Sequence, residues 1–504
     1  MRKSLKTSIF RLISSLNTRM KNFLYACAGF LIVAILWYIA SAVFTYKIIP
    51  FPHKVVMNLI NILSTKEIYF DIFLTLFRSI IGFFLAFVSG FIVGYLMGKF
   101  HFLDKSLYPL IALIQGAPPL IWVIPLILIL GTKGNAALAI VYFVSLPLVT
   151  INVYEGRKSI NRNYYDMFRI YANSSYLRIK ELTIPLLSPY IKSSIALGIA
   201  LSLKSSIIGE WFGARNGVGK RINELFYSYD ILTFFSISLL FLIVIVSTSY
   251  ITKFIVEYFF PDRKKSSYKK SSVTSVDKKR EFPFFNQIQN KTDSAPKERK
   301  IYFAMKSVSF NYGAKTILDS VNFEASEGKT ILLSGDSGAG KTTFAKIALG
   351  LLKPDSGIVR IPENSGIIFQ DDVLLNHLDC YGNVKLTAKW KNIDYFEENS
   401  LYYLELCGLK DSIWLYPDQL SGGMKKRLAL ARAMSLDPDF MILDEPFNNL
   451  DKEARYQMWS LYDSLFIKKG ITSIIITHYP DELANINLDK YILKNGRIFS
   501  TTVL

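Results

Sequence analysis

The chain has 504 residues, 51% of them hydrophobic, yet it carries a formal net charge of +19. The length suggests about three domains, at roughly 100–200 residues each, and the apolar residues are concentrated before about residue 260. Three widely spaced cysteines, Cys27, Cys380 and Cys407, indicate neither a disulfide framework nor a cysteine-based metal site.

Six apolar segments in the first half of the chain are long enough to cross a bilayer. They cover 23–44, 79–97, 107–130, 136–154, 193–212 and 231–250. A basic stretch, 1–22, precedes the first segment, which is too long for a signal peptide and lacks a small-residue cleavage site. Because cytoplasmic loops carry the excess of Lys and Arg, we expect a multi-pass protein of the cytoplasmic (inner) membrane with both termini in the cytoplasm.

The third segment is broken by the letters GAPP at 116–119 and again by Pro125. Such breaks are tolerated at membrane depth only where other protein or a water-filled cavity satisfies the freed backbone groups. The breaks therefore either line a pathway or are packed kinks, and both interpretations stay open.

The fifth segment carries a lysine, Lys204, in otherwise apolar surroundings, and Glu210 follows six residues later. An ionised lysine at mid-membrane costs roughly 2.5–3.5 kcal/mol, so such residues usually face a cavity or a partner. We therefore take Lys204 and Glu210 as candidate substrate-pathway residues, with Lys204 offering its charge to an anionic or electron-rich solute. Alternatively, Lys204 reaches an interface or pairs with Glu210 to hold the spans together.

The long inside loop, 155–192, contains the pattern of a short amphipathic helix over 164–172 and then the letters IPLLSP, which lead into the fifth segment. With other motifs, this loop resembles the permeases of nitrate/sulfonate/taurine-type importers among the ATP-binding cassette transporters. The other motifs are IPFP at 49–52, TLFRS at 75–79, GF at 82–83 and EWFG at 210–213.

The resemblance implies that 164–172 is a coupling helix, which docks in a groove of the ATPase. Its candidate contact residues are Tyr165, Asp166, Phe168 and Ala172. The family usually has glycine where this chain has Ala172, although alanine still permits a tight turn. The other interpretation is an amphipathic helix that packs on its own bundle or lies in the lipid interface.

Residues 256–300 form a basic boundary segment in which Lys and Arg runs alternate with serines. This composition predicts a flexible linker. Its position next to the sixth segment favours attraction to anionic lipid headgroups over the rival interpretation, a nucleic-acid-binding tail.

The stretch 335–342, GDSGAGKT, fits the pattern of a phosphate-binding loop, with a strand-like segment before it and a helix start after it. Its glycines let the backbone wrap a phosphate, and the helix N-terminus adds a positive dipole end. Lys341 would reach the β- and γ-phosphates of ATP, and the Thr342 hydroxyl would ligate Mg²⁺. The alternative is a glycine-rich turn that binds nothing. The predicted ATP-binding residues here are Gly335, Asp336, Ser337, Gly338, Ala339, Gly340, Lys341, Thr342 and Thr343.

The letters LSGGM at 420–424 resemble the signature of the ATP-binding cassette. Ser421, Gly422 and Gly423 stand at a helix start and would offer a hydroxyl and bare N–H groups to an anion. The resemblance implies that this signature closes over ATP held by the opposite subunit. Since one chain has one copy of each motif, a homodimer is expected.

Five further residues match the cassette in the expected order. Phe440–Asp444 is a buried strand pattern in which Asp444 would hold Mg²⁺, and Glu445 would polarise the attacking water. By resemblance, Tyr312 stacks on adenine, Gln370 touches Mg²⁺ and the attacking water, and His478 touches the γ-phosphate.

We therefore predict an α-helical membrane domain with six transmembrane helices, type I importer-like, fused to an α/β P-loop ATPase domain. The borders are 1–255 for the permease, 256–300 for the linker and 301–504 for the ATPase. The predicted function is ATP-driven import of a small anionic or polar organic solute by a homodimer with a separate extracytoplasmic solute-binding protein. An exporter and an ATP-gated membrane regulator are the alternatives. Partners include the lipid bilayer and exclude nucleic acid, because of the six spans.

Overall fold

The computed structural model describes residues 18–44, 48–172, 174–261, 301–391, 393, 395–448, 450–467, 470–478 and 488–501. It divides into two compact units. The first consists of Met1–Ser159 and Leu187–Phe260, and the second of Ile160–Leu186 and Pro261–Leu504. Residues 160–186 of the inside loop, called the coupling loop below, therefore belong to the same unit as the ATPase. Most of the predicted linker, 262–300, lies outside the described residues.

The first unit is helical. Its helices are α1 (Thr18–Val43), α2 (Pro52–Leu63), α3 (Lys66–Lys99), α4 (His101–Gly116), α5 (Pro119–Leu130), α6 (Asn135–Ser159), α8 (Ile184–Gly213, shared with the second unit), α9 (Val218–Tyr227) and α10 (Ile231–Phe259). Helix α7 (Arg162–Tyr171) lies in the second unit and is followed by a one-turn helix, Ser175–Leu177, and a π-helical segment, Arg178–Thr183.

Four helical stretches in the described part of the chain are long and apolar enough to cross a membrane by themselves. They are Lys66–Lys99, Asn135–Ser159, Ser175–Gly213 and Ile231–Phe259. The pair α4 and α5 passes the same test only together. Within α1, the apolar part is Cys27–Val43, which is shorter than the test requires. The six predicted segments thus all fall on helices, and their number as spans stays a prediction.

The third predicted span is not one helix. Helices α4 and α5 meet at an angle of 95° at the predicted break, as in a broken span or a re-entrant loop. The second predicted break was wrong, because helix α5 continues through Pro125. The chain turns where two consecutive prolines start a new helix, since Pro118 and Pro119 supply no backbone N–H to extend α4.

Small residues let α3 and α6 pack closely. A Cβ on Gly82 would lie 2.9 Å from the Leu138 carbonyl oxygen, and one on Gly94 would lie 2.4 Å from that of Thr150. Glycines at such positions allow two backbones to approach, which is the usual way that membrane helices associate.

The described residues of the second unit form two sheets. Strands β1 (Ile301–Tyr312), β2 (Lys315–Ser326) and β4 (Ser356–Arg360) form an antiparallel sheet in the order β2-β1-β4. The other sheet has the order β5-β6-β7-β3-β8-β9 and is parallel except for its last pair. Its strands are β3 (Thr330–Ser334), β5 (Ser365–Ile368), β6 (Phe440–Asp444), β7 (Thr472–Ile476), β8 (Asp489–Lys494) and β9 (Arg497–Ser500).

Five more α-helices lie in the described part of this unit. They are α11 (Lys341–Ala348), α12 (Cys380–Trp390), α13 (Phe396–Leu406), α14 (Gly422–Met434) and α15 (Lys452–Tyr462). Short 3₁₀ turns lie at Lys410–Ser412 and Pro417–Gln419, and a π-helical segment lies at Asp463–Ile467. Parallel strands buried on both faces have largely apolar sequences. Strand β6 begins with the letters FMIL and β7 ends with the letters III, which made both strands recognisable from the sequence.

Candidate active site

Four strands of the parallel sheet bring the predicted catalytic residues to one edge. The phosphate-binding loop follows β3, Gln370 follows β5, Glu445 follows β6 and His478 follows β7. Because the carboxyl ends of parallel strands meet at the same edge of a sheet, residues far apart in sequence converge there.

The loop from Gly335 to Gly340 requires glycine at two positions. Gly335 has φ +150° and Gly340 has φ +104°, in the region that side chains rarely adopt. A Cβ on Gly335 would lie 2.5 Å from the Leu493 carbonyl oxygen, and one on Gly340 would lie 2.7 Å from a methyl group of Ile317. The loop ends at Lys341, the first residue of helix α11. All nine residues predicted to bind ATP here lie between β3 and the first turn of α11.

The Lys341 ammonium group faces inward. Its Nζ donates to the carbonyl oxygens of Gly335, at 2.8 Å, and Asp336, at 2.9 Å, and lies 3.3 Å from Nδ1 of His478. Burial lowers the pKa of Lys341, and the nearby Glu445 and Asp444 carboxylates oppose that shift. A phosphate group entering the loop would offer Lys341 a stronger partner than these neutral carbonyls.

The Glu445 carboxylate contacts three other side chains of the site. Its Oε1 lies 2.7 Å from Nε2 of His478, and its Oε2 accepts from Nε2 of Gln370, at 3.3 Å, and from Nδ2 of Asn448, at 3.0 Å. Glu445 has φ +49°, a strained backbone conformation for a residue with a side chain. Its backbone N–H is fixed by the Ile476 carbonyl oxygen at 2.9 Å. Glu445 therefore contacts the other two residues predicted to be catalytic, His478 and Gln370, and it also contacts Asn448, which the sequence analysis did not assign to catalysis.

Asp444 and Thr342 form the other half of the site. Burial raises the pKa of Asp444, and a hydrogen bond from Thr342 opposes the shift. Hydroxyl, carboxylate and amide oxygens are hard ligands of the kind that Mg²⁺ prefers. Thr342, Asp444 and Gln370 therefore fit the predicted metal-binding role by chemistry.

Ser421 caps the N-terminus of helix α14, where its Oγ accepts from the Met424 N–H at 3.4 Å. Ser421 and Gly422 are exposed, and a Cβ on Gly422 would meet no atom within 4 Å. Tyr312 stands at the end of β1, 54% exposed and edge-on to Phe310. These predicted nucleotide contacts are thus on the surface, where a ligand or a second subunit can reach them.

Helix α7, the predicted coupling helix, packs against residues of the ATPase. Phe168 is buried against Trp390, with ring centroids 4.7 Å apart, and the Asp166 carboxylate lies 3.2 Å from Nζ of Lys346. Tyr165 packs at the edge of the same core. Ala172 ends the helix in an extended conformation, φ −146°, so no glycine is needed there.

Three docking contacts were not predicted from the sequence. The Tyr164 hydroxyl donates to the Leu374 carbonyl oxygen at 2.8 Å, and the Tyr171 hydroxyl donates to that of Ile367 at 3.0 Å. After the helix, the Glu181 carboxylate accepts from the Trp390 indole N–H at 2.5 Å. The interface therefore combines a buried aromatic face with hydrogen bonds to backbone carbonyls.

In the first unit, the two candidate pathway residues lie in different environments. Lys204 is exposed on helix α8, whereas Glu210 is fully buried. The Glu210 carboxylate accepts from Arg78 at 2.7 Å, from the Thr75 hydroxyl at 2.8 Å and from the Gly219 N–H at 3.0 Å. The partner of Glu210 is therefore Arg78, which the sequence had shown only as part of a motif.

Comparisons with known proteins agree with this architecture. Residues 318–448 match the family model described as ABC transporter, and residues 86–265 match the model of the binding-protein-dependent transport system inner membrane component. The chain is 33% identical over 210 residues to a probable sulfate/thiosulfate import ATP-binding protein of Chlorella vulgaris, covering 38% of this chain and 88% of that protein.

The chain is also 32% identical over 195 residues to an aliphatic sulfonates import ATP-binding protein of Paraburkholderia xenovorans, covering 39% of this chain and 78% of that protein. Among solved structures it is similar to a dimeric ATP-binding cassette in a post-hydrolysis state bound to ADP and Pi, with 26% identity and a TM-score of 0.37 over 39% of this chain and 96% of that one. The chain therefore belongs to the ATP-binding cassette transporters, as an importer-type member that carries permease and ATPase in one polypeptide and couples ATP hydrolysis to transport.

Proposed function

We propose that this protein imports a small anionic or polar organic solute across the cytoplasmic membrane, as a homodimer supplied by a separate extracytoplasmic solute-binding protein. The observation that carries the proposal is the docking of helix α7, from the permease loop, into the core of the ATPase. The similarity to proteins named for the import of sulfate/thiosulfate and of aliphatic sulfonates supports an oxyanion-bearing solute.

Glu445 is the proposed general base for hydrolysis. Its contacts with His478, Gln370 and Asn448 orient the carboxylate, and a positioned base typically contributes about 10²–10⁴-fold. Lys341 would hold the β- and γ-phosphates. Mg²⁺, held by Thr342, Asp444 and Gln370, would offset the phosphate charge when bound.

The proposed dimer follows from the exposed signature. Ser421 and Gly422 present a hydroxyl and free N–H groups at a helix N-terminus, where an anion is stabilised. In the proposed homodimer these groups close over ATP held by Lys341 of the second copy. The γ-phosphate then provides contacts that ADP lacks, which is the differential affinity that a conformational switch requires.

We propose that the docked loop transmits the movement caused by ATP binding to the membrane domain. Helix α7 touches the helix of the phosphate-binding loop through Asp166 and the segment after Gln370 through Tyr164. Closure of the two ATPase domains would draw the two loops together and change which side of the membrane domain is open. We further propose that the ATPase and both termini are cytoplasmic, from the distribution of Lys and Arg.

The decisive experiment is reconstitution of the purified full chain in proteoliposomes with the solute-binding protein encoded beside its gene. Sulfate, taurine and an aliphatic sulfonate would be offered as labelled solutes. We expect ATPase activity stimulated by the loaded binding protein and uptake that requires ATP. Solute movement in the opposite direction, or ATPase activity indifferent to every solute and binding protein, would contradict the proposal.

A further inference from the structure

A nearly buried lysine on the signature helix contacts the segment that carries Gln370. Lys426 is 6% exposed and lies on α14, five residues after Ser421. Its Nζ donates to the Gln370 carbonyl oxygen at 2.7 Å and lies 3.3 Å from Oδ1 of Asp372. The second contact is an ion pair without the alignment of a directed hydrogen bond. A charge so poorly hydrated requires such partners, so the position of the backbone at Gln370 depends on Lys426.

The segment 370–374 has no helix or strand of its own, so its contacts determine its position. A second residue of α14 holds the middle of this segment. The buried Arg432 guanidinium donates to the carbonyl oxygens of Val373, at 2.7 Å, and Asp372, at 3.4 Å. Helix α14 therefore fixes the segment near its start and near its middle.

The other side of the same segment is held by the coupling loop. Asp371 accepts from the side-chain amides of Asn161, at 3.4 Å, and Asn163, at 3.3 Å, and the Leu374 carbonyl oxygen accepts from Tyr164. Of these two consecutive aspartates, Asp371 thus contacts the coupling loop and Asp372 contacts the signature helix, α14. The segment is a direct physical link between the two.

We propose that Lys426 is a positioning residue that couples the signature to both Gln370 and the loop. Through the Gln370 carbonyl and Asp372 it holds the first turns of α14 to segment 370–374. A displacement of Ser421 on ATP-driven closure then moves Gln370, whose side chain contacts Glu445, and moves helix α7 with it. This inference rests on the coupling role proposed for α7 and adds to it the residue that transmits the movement.

The test compares Lys426→Met, Lys426→Arg and Asp372→Asn with wild type, using the full chain in lipid nanodiscs. Lys329→Met is the matched control, because Lys329 pairs with Asp489 at 3.1 Å in the same domain. We expect Lys426→Met to lower kcat for ATP roughly 10- to 100-fold, the scale on which misplacing a catalytic group acts, with KM little changed. Lys426→Arg should retain most of the activity, and Asp372→Asn should show a smaller loss in the same direction.

A second readout separates positioning from mere stability. Hydrogen exchange is measured with and without a non-hydrolysable ATP analogue. In wild type, Lys426→Arg and Lys329→Met, the analogue should change exchange in both 335–342 and 161–172. In Lys426→Met, 335–342 should still respond while 161–172 does not. If Lys426→Met does not fold, the same comparison in Asp372→Asn decides.

Two outcomes would overturn different statements. The first concerns Lys426→Met, or Asp372→Asn if Lys426→Met does not fold. If the response at 161–172 persists in that variant and its kcat stays within about threefold of wild type, the role of Lys426 alone is removed. No response at 161–172 in wild type would overturn the coupling role of helix α7 and the inference with it.

Discussion

Asp166 on the coupling loop is paired with Lys346 on the helix of the phosphate-binding loop. Their Oδ2 and Nζ atoms are 3.2 Å apart, and Asp166 is 5% exposed. Lys346 also lies near enough to Asp444 to stabilise its charged form. The same lysine thus contacts the permease loop and lies near the predicted metal-binding carboxylate, so changing this pair tests the proposed coupling.

The first prediction concerns this pair. Asp166→Lys or Lys346→Asp alone should abolish uptake, because each places two like charges in a partly buried contact. The double reversal should recover part of the uptake, measured in proteoliposomes together with ATPase activity. Equal loss in the single and double variants would show that the pair is not an interaction that transport requires.

The second prediction concerns Glu445. Glu445→Gln keeps the contact with Asn448 but removes the negative charge and the base. ATP binding should persist while hydrolysis slows by about 10²–10⁴-fold, measured by nucleotide binding and phosphate release on purified protein. Hydrolysis within about threefold of wild type would refute the assignment.

The third prediction concerns the dimer. Lys341→Ala and Ser421→Arg should each inactivate the homodimer. Mixed subunits should form heterodimers that hold one intact site and one doubly damaged site, and we expect measurable activity from that mixture. Size measurements by light scattering accompany the assay, and an active monomer is the result that would rule out shared sites.

The fourth prediction concerns the proposed role of Lys204 in the substrate pathway. Lys204→Met should abolish solute uptake while membrane assembly and basal ATPase activity stay largely intact, because the proposed role is a charge offered to the solute in passage. Lys253→Met is the control, since Lys253 is an exposed lysine on helix α10. Unchanged uptake by Lys204→Met would remove this residue from the pathway.

The fifth prediction concerns the buried pair of Arg78 and Glu210. Arg78→Met leaves a fully buried carboxylate without its cation, which should lower the free energy of unfolding by about 3–5 kcal/mol. Changing both residues together, to Met and Gln, should be less damaging than Arg78→Met alone. Thermal unfolding of the purified protein measures both. Stability equal to wild type in Arg78→Met would show that Glu210 is not held mainly by this pair.

The residues proposed for the active site could be named from the sequence because their order follows local patterns. A glycine-rich loop after a strand, and carboxylates after a buried strand, are short-range features. Once the strands are parallel, their carboxyl ends share an edge, so Lys341, Glu445 and His478 had to converge. The family comparisons confirm the fused permease and ATPase that these motifs indicated.

Contacts between distant parts of the chain were decided only by the tertiary structure. Glu210 pairs with Arg78, 132 residues away, and not with Lys204 on its own helix. In the sequence, Lys426 lies in a pattern typical of a surface, whereas in the fold it is buried against Gln370. A local pattern reports which residues share a face of one helix or strand. Which charge meets which depends on how two such faces pack, and that is a property of the whole fold.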